Sequence, residues 1–357
     1  MTMSSAAFSP DRTYQRFKNT WFFHISLLCL LVAGLHGAPA QGQNAVVLVG
    51  SGSSVPAPLY TRWTQEYGKH NSHIQMRYLP VGTSEGIKQI SHGVGDFGAG
   101  EAQLTESERK DGLIEMPVVL IGIVPIYNLP DVHQDLRLSG EVLAEIFLGE
   151  IKNWNAVPIA KLNPEITLPN LPIQVINRPA GKGSNYVFTD FLSKTSSKFR
   201  SQVGVSPSPK WPTGVSAERS ADMAEKVKNA SGSIGYVEYQ YAVKAGISQV
   251  AVLNAAGKYV HASDASIAEA CKAVEAPRWN NFSASLTNAS GAESFPITSF
   301  TWIYLRSKST DSSRTAALSD LLDWVYTDGQ QFAVQEGYSE LPSPLLAAVR
   351  KKIRDLE

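Results

Sequence analysis

The sequence predicts an α/β fold of two lobes joined by long crossing strands. Three observations predict it. Short apolar runs alternate with helical patterns from Asn44 onward. Two β-rich stretches, Met116 to Tyr127 and Ile297 to Leu305, are long enough to pass from one lobe to the other. An α/β pattern lies on each side of the first of them. Alternating strands and helices imply a parallel sheet covered on both faces, and in such sheets ligands sit off the carboxyl ends of the strands.

Taken in order, the apolar run Ala45-Val46-Val47-Leu48-Val49 reads as a strand and stops at the turn Gly50-Ser51-Gly52-Ser53-Ser54-Val55. Leu59, Tyr60, Trp63 and Tyr67 then fall on one helix face. Pro56 suits the first helical turn, and Ser53 or Ser54 is expected to cap it. Ile74 to Leu79 is a strand running into Gly82-Thr83-Ser84-Glu85-Gly86 and a helix carrying Ile87 and Ile90. Gly95 to Ala99 is a short buried strand ending at Gly100-Glu101. Ser139 opens a helix with Leu143, Ile146 and Phe147, and Ile173 to Arg178 is a strand. The loop Pro179-Ala180-Gly181-Lys182-Gly183-Ser184-Asn185 leads into a helix with Val187, Phe188, Phe191 and Leu192. Ser231 to Val237 is a further strand entry. Residues 254–296 are Ala-, Ser- and Asn-rich and read as peripheral. The closing helices carry Leu318, Leu321, Leu322 and Val325, then Leu345, Leu346 and Val349. No internal repeat is visible. Crossing at the two long stretches puts lobe I at 42–122 with 300–357 and lobe II at 123–299.

The 357 residues suit about two domains, and 43% hydrophobic with 18% charged residues describes a chain with a substantial core. A net charge of zero gives no electrostatic footprint for nucleic acid or an anionic membrane surface. Residues 1–41 read as a cleaved signal peptide: Arg12, Arg16 and Lys18 are basic, Trp21 to Leu35 is apolar, and Ala38-Pro39-Ala40 offers small residues for cleavage. The apolar run is shorter than the roughly 20 residues a spanning helix needs. Leu28 before Cys29 argues against a lipoprotein signal. Removing the segment takes three basic residues and one acidic residue from 32 of each, leaving 29 and 31, and leaves Cys271 as the single cysteine. An exported protein without a possible internal disulfide depends on its core.

Three turns each follow a strand and open a helix: Ser53-Ser54-Val55, Gly82-Thr83-Ser84 and Gly181-Lys182-Gly183-Ser184. Helix N-termini favour anions through free N–H groups and the helix dipole. Arg178 ends its strand just before the third turn, where a guanidinium can grip two oxygens of a tetrahedral oxyanion. Lys182 adds a base to the loop. Glu101 repels a fully ionised anion yet accepts a hydrogen bond from one that keeps a proton; alternatively it caps the helix after Leu104. Any one of these turns is ordinary, and the combination of three with an arginine points to an oxyanion site.

Other chemistries find less support. Gly82-Thr83-Ser84-Glu85-Gly86 matches the Gly-x-Ser-x-Gly elbow of serine hydrolases, with Ser84 as nucleophile. Two downstream histidines, His133 and His261, stand in no suggestive setting. Gly50-Ser51-Gly52 lacks the third glycine of a dinucleotide fingerprint, and Ala180-Gly181-Lys182-Gly183 is not a Walker A loop. The histidines and Cys271 show no metal spacing, so no metal or cofactor is expected.

With these residues in view, the chain resembles the phosphate-binding proteins of bacterial high-affinity phosphate ABC transporters. The resemblance spans nearly all of Val46 to Val349. It is carried by Pro56-Ala57-Pro58-Leu59-Tyr60, Gly86-Ile87-Lys88-Gln89-Ile90, Asp96-Phe97-Gly98-Ala99 and Phe147-Leu148-Gly149-Glu150-Ile151-Lys152-Asn153-Trp154. Ala160-Lys161-Leu162-Asn163-Pro164, Lys210-Trp211-Pro212, Ile234-Gly235-Tyr236-Val237-Glu238-Tyr239 and Pro296-Ile297-Thr298-Ser299 add to it. It implies a two-lobed periplasmic binding protein fold, type II-like, that closes on phosphate without covalent chemistry and delivers it to an ABC permease in the inner membrane. It further implies a periplasmic monomer. The family's ligand groups fall on Ser54, Val55, Thr83, Glu101, Arg178, Lys182, Gly183 and Ser184. Ser54, Thr83 and Ser184 exchange one hydroxyl residue for another, and Glu101 stands for an aspartate. Ala180 replaces the acid that steadies the arginine and Lys182 replaces a serine, which makes the site about two charges more positive. Within the same class, arsenate or sulfate is the alternative ligand.

Overall fold

The computed structural model describes residues 45–273, 282, 284–308 and 311–355; the expected signal peptide, residues 1–41, lies outside them. The first half runs β1 (Val46–Gly52), α1 (Ala57–His70), β2 (Ile74–Leu79), α2 (Thr83–Ser91), β3 (Phe97–Gly100), α3 (Glu106–Lys110) and β4 (Leu113–Tyr127). The second runs β5 (Arg137–Leu138), α4 (Gly140–Phe147), α5 (Val157–Leu162), β6 (Gln174–Asn177), α6 (Gly183–Thr195), α7 (Ser197–Gln202), β7 (Val215–Ser216), α8 (Ser220–Asn229), β8 (Ser233–Glu238) and α9 (Tyr239–Ala245). After it come β9 (Ser248–Gln249), β10 (Ala251–Leu253), β11 (Tyr259–Val260), α10 (Asp264–Lys272), β12 (Thr298–Arg306), α11 (Ser312–Val325), α12 (Gln330–Gln335) and α13 (Ser343–Arg354).

The main sheet has the order β2-β1-β3-β12-β4-β8-β6-β7, with β9 also on β4. It is mixed rather than parallel throughout, which corrects the expectation from strand–helix alternation. β1 is parallel to β2 and β3, and β6 is parallel to β7 and β8, but β12 and β4 run antiparallel to their neighbours. The reason is connectivity: a strand that crosses between two parallel units and one that returns must point in opposite directions. β4 pairs with β12 from Leu113 to Gly122 and with β8 from Ile123 to Tyr127. This single 15-residue strand therefore serves two neighbourhoods in turn. Pro117 is accommodated at an irregularity, where the register shifts between Thr301 and Trp302 and Val118 is left without a β12 partner. Gln330 Nε2 donates to the Val118 carbonyl (3.1 Å).

Packing follows the periodicity. Leu59, Tyr60, Trp63 and Tyr67 are all buried on α1, and Trp63 Nε1 donates to the Gly329 carbonyl (2.8 Å). The 254–296 region is less peripheral than its composition suggests: Ile267, Cys271 and Phe295 are buried, and Ile267 and Phe295 pack at Gly122 on β4. Apolar residues spaced too widely to read as a pattern still fill a core. Among the described residues, no helix is long and apolar enough to cross a membrane.

Candidate functional site

Glu101, Arg178 and Glu238 stand at the carboxyl ends of β3, β6 and β8, and Glu238 lies opposite Ile123, where β4 changes partner. Such a switch point is where an α/β sheet leaves a crevice. All three side chains are buried, at 0%, 1% and 0% exposure.

The first turn is held by its carbonyls. Tyr78 Oη donates to Ser53 O (2.7 Å) and Tyr338 Oη donates to Val55 O (2.7 Å), while Ser53 N–H donates to Ala99 O (2.9 Å). A side chain at Gly52 would collide with Ala99 O at 1.9 Å, so β1 and β3 approach closely only because that position is glycine. The expected serine cap of α1 is not formed. Pro56 is the N-cap residue and makes no side-chain cap, and Ser53 Oγ instead accepts from Val55 N–H (3.1 Å). Val55 and Pro56 stand between the serines and Ala57, the first residue of the helix. Ser54 is half-buried and Val55 buried. The buried hydroxyl that turns toward Glu101 belongs to Ser53.

The second and third turns meet face to face. Thr83 Oγ1 donates to Glu101 Oε2 (3.0 Å), and Ser84 N–H donates to Gly181 O (3.3 Å). Gly183, the first residue of α6, lies so near Glu101 and Thr83 that a Cβ there would fall 1.6 Å from Glu101 Oε2. Helix geometry leaves the N–H groups of Gly183 and Ser184 without intrahelical acceptors. Glu101 does not cap the following helix: Thr105 does, in a reciprocal arrangement with Glu108.

Arg178 is clamped by groups 33 to 58 residues further along the chain. Its Nη1 donates to Ser220 Oγ (3.1 Å), its Nη2 to the Glu218 carbonyl (3.1 Å), and its own carbonyl accepts from Trp211 Nε1 (3.2 Å). Tyr236 Oη accepts from Arg178 N–H (3.2 Å) and donates to Asn185 Oδ1. Asn185 in turn holds the third turn by donating to Pro179 O (2.7 Å) and Pro207 O (3.1 Å).

Lys182 does not add a free positive charge. Its Nζ pairs with Glu218 Oε1 at 2.5 Å, and its N–H donates to Pro207 O (3.1 Å). Glu238 Oε1 lies 3.9 Å from Arg178 Nη1. The expectation of added positive charge is corrected at Lys182, which Glu218, 36 residues along the chain, pairs; Glu238, 60 residues from Arg178, lies beside the arginine.

Four side chains of the cluster keep buried polar atoms without a hydrogen-bond partner: Glu101 Oε1, Arg178 Nε, Ser184 Oγ and both carboxylate oxygens of Glu238. Donors and acceptors left open together mark a place for a polar ligand. Burial, the largest influence, pushes the Glu101 carboxyl up to about 8; the Ser53 and Thr83 hydroxyls and Arg178 oppose this, and Glu238 adds to it. Below about pH 8 Glu101 thus keeps its proton in this setting. The expectation that Glu101 repels a fully ionised anion changes accordingly below about pH 8, where its carboxyl carries the proton.

The serine-hydrolase arrangement is not assembled. His133 and His261 line a surface depression with Asp135, and His261 Nε2 lies 3.3 Å from Asp135 Oδ2. Among the described residues no hydrogen bond joins Ser84 to a histidine, and no cluster of three metal-ligating side chains is present.

Residues 36–329 match the model of the PBP superfamily domain. The chain is 35% identical over 307 residues to the phosphate-binding protein PstS of Haemophilus influenzae, covering 85% of this chain and 92% of that one. A high affinity periplasmic phosphate-binding protein (PfluDING), solved with phosphate, superposes with a TM-score of 0.67 at 19% identity, over 86% of this chain and 93% of that one. The phosphate-binding protein of Stenotrophomonas maltophilia gives 0.64 at 17% identity, over 86% and 94%. These likenesses share the two-lobed α/β fold with crossing hinge strands. The chain belongs to the PBP superfamily and, within it, to the family of the phosphate-binding proteins PstS.

Proposed function

We propose that this chain is a periplasmic phosphate-binding protein that captures inorganic phosphate between its lobes and hands it to an ABC permease. The observation that carries the reading is the set of open, buried polar atoms on Glu101, Arg178 and Ser184 where two turns converge. In this reading Ser54, Val55, Thr83, Gly183 and Ser184 present hydroxyls and N–H groups to the phosphate oxygens. Arg178 supplies the charge, Glu101 shares a proton with the ligand, and Lys182 serves through its backbone in the third turn. Residues 1–41 direct export, lobe I comprises 42–122 with 300–357, and lobe II comprises 123–299. The protein works as a monomer, forms no covalent intermediate and needs no cofactor or metal. Closure is a hinge motion about β4 and β12, in keeping with binding proteins that close on a ligand.

Calorimetric titration of the anion-stripped protein with phosphate and with sulfate tests the reading. Saturable phosphate binding that is lost on Arg178→Met supports it. Silence with phosphate overturns it, and equal binding of both anions at pH 9, where Glu101 is ionised, would move the assignment to a general oxyanion binder.

A further inference from the structure

Glu238 has a fully buried side chain whose two oxygens lack any hydrogen-bond partner, although an ion-pair partner, Arg178, is 3.9 Å away. A buried carboxylate is costly unless donors reach it, and buried polar groups in folded proteins are nearly always satisfied. Here Nη1 and Nη2 of the nearest cation each direct one proton elsewhere, to Ser220 Oγ and Glu218 O, and at 3.9 Å Nη1 stands beyond hydrogen-bond reach of Glu238. Among the described residues no donor therefore closes a hydrogen bond on Glu238. Glu238 also stands at the end of β8, at the switch point, in the cluster that holds the open atoms of Glu101 and Ser184.

We propose that Glu238 is a second selectivity carboxylate of this site: its open oxygens favour an oxyanion that carries hydrogen and oppose one that carries none. This deepens the phosphate-binding reading and rests on it. When Glu101 holds its proton, Glu101 donates to either phosphate or sulfate and discriminates poorly between them. The open oxygens of Glu238 beside Arg178 then still separate the two. The hydroxyl of hydrogen phosphate donates to Glu238, directly or through one water, whereas sulfate presents only bare oxygens. The titratable and charged groups that face Glu238 are Arg178 from β6, Glu101 after β3, Tyr236 on β8, Tyr241 on α9 and Tyr338 after α12. Arg178 alone of these is cationic.

Titrating the full chain, Glu238→Gln and Glu238→Asp with sodium phosphate and sodium sulfate at pH 7 tests this. Glu238→Gln exchanges an acceptor for an amide that also donates, so the ratio of sulfate to phosphate affinity should rise at least ten-fold. Glu238→Asp keeps the charge and should leave the ratio within about three-fold of the parent. An unchanged ratio in Glu238→Gln, or an equal rise in both variants, overturns the proposal; a purely structural role would weaken both anions together. If the parent chain fails to bind phosphate, the functional reading itself has failed, a result separate from any change of ratio. Should Glu238→Gln not fold, the carboxyl carbon shift of Glu238 in glutamate-labelled parent protein decides: phosphate should move it and sulfate should not, and an equal response to both anions, or none to either, overturns the assignment.

Discussion

Two arginine–carboxylate pairs in this molecule are built on opposite plans. Arg314 and Asp96, beside β1 and ahead of β3, saturate each other: Nε donates to Asp96 Oδ1 (2.8 Å) and Nη2 to Oδ2 (2.6 Å), while Val49 N–H donates to Asp96 and Val47 O accepts from Arg314. Arg178 and Glu238, at the strands' carboxyl ends, are more deeply buried and less satisfied, with 3.9 Å between charges and open atoms on both. A pair made for stability closes its valences, because each open buried polar atom costs about 1–3 kcal/mol. A pair that leaves them open in the core retains a place for something else. The difference assigns scaffold to one and recognition to the other.

The largest expected effect falls on the open pair. Arg178→Lys keeps the charge but loses the planar fork, and a point charge cannot grip two oxygens at once. Phosphate affinity should drop roughly 100-fold, corresponding to about 3 kcal/mol for lost charge-assisted hydrogen bonds. Asp96→Asn should do the reverse, lowering unfolding free energy by about 1.5–3 kcal/mol while phosphate affinity stays within about three-fold. Paired titration and urea unfolding of both variants check this, and a parallel loss of affinity and stability in each would erase the distinction.

Next in size is the pH response of Glu101. Its folded carboxyl sits near 8, above the ordinary glutamate value, so the folded protein binds more protons than the unfolded chain between those two values. Stability of the empty protein should therefore be full below the ordinary glutamate range and fall as pH rises through about 8, and Glu101→Gln should flatten that slope. Sulfate affinity should fall about ten-fold per pH unit above 8, where Glu101 no longer brings a proton, and phosphate affinity should fall less. Thermal unfolding and anion titration between pH 5 and 10 measure both trends.

Much of the fold was legible in the sequence because it is local. The α1 face of Leu59, Tyr60, Trp63 and Tyr67, the strand Ile74–Leu79 and the three turns all declare themselves within a dozen residues. The sheet's mixed direction was not, since the partners of β4 lie well over 100 residues away and pairing leaves no local mark. The candidate site divides in the same way. Thr83, Glu101, Arg178 and Gly183 were found from turns that end strands. The resemblance points to Ser54 and the structure turns Ser53 toward Glu101, because a turn's rotation decides which hydroxyl meets which neighbour. Glu218 and Ser220 carry no motif and Glu238 was legible only as part of the stretch 234–239, so that only the fold brings these residues to Arg178 and Lys182.

Lys182 and Glu218 supply the smallest effect and the finest test of the comparison. Their pair is short, 2.5 Å, yet Glu218 is 67% exposed, so water and salt screen it. Such pairs contribute about 0–1 kcal/mol. Lys182→Ala should leave phosphate affinity within about three-fold, and Glu218→Ala should tighten it slightly by freeing the Lys182 charge near the third turn. That gain should vanish in the double variant and shrink between 0.05 and 0.5 M salt, as exposed charges do. A ten-fold loss in Lys182→Ala would instead place its ammonium on the ligand and make the lysine pair, like Arg178 and Glu238, one that opens for recognition.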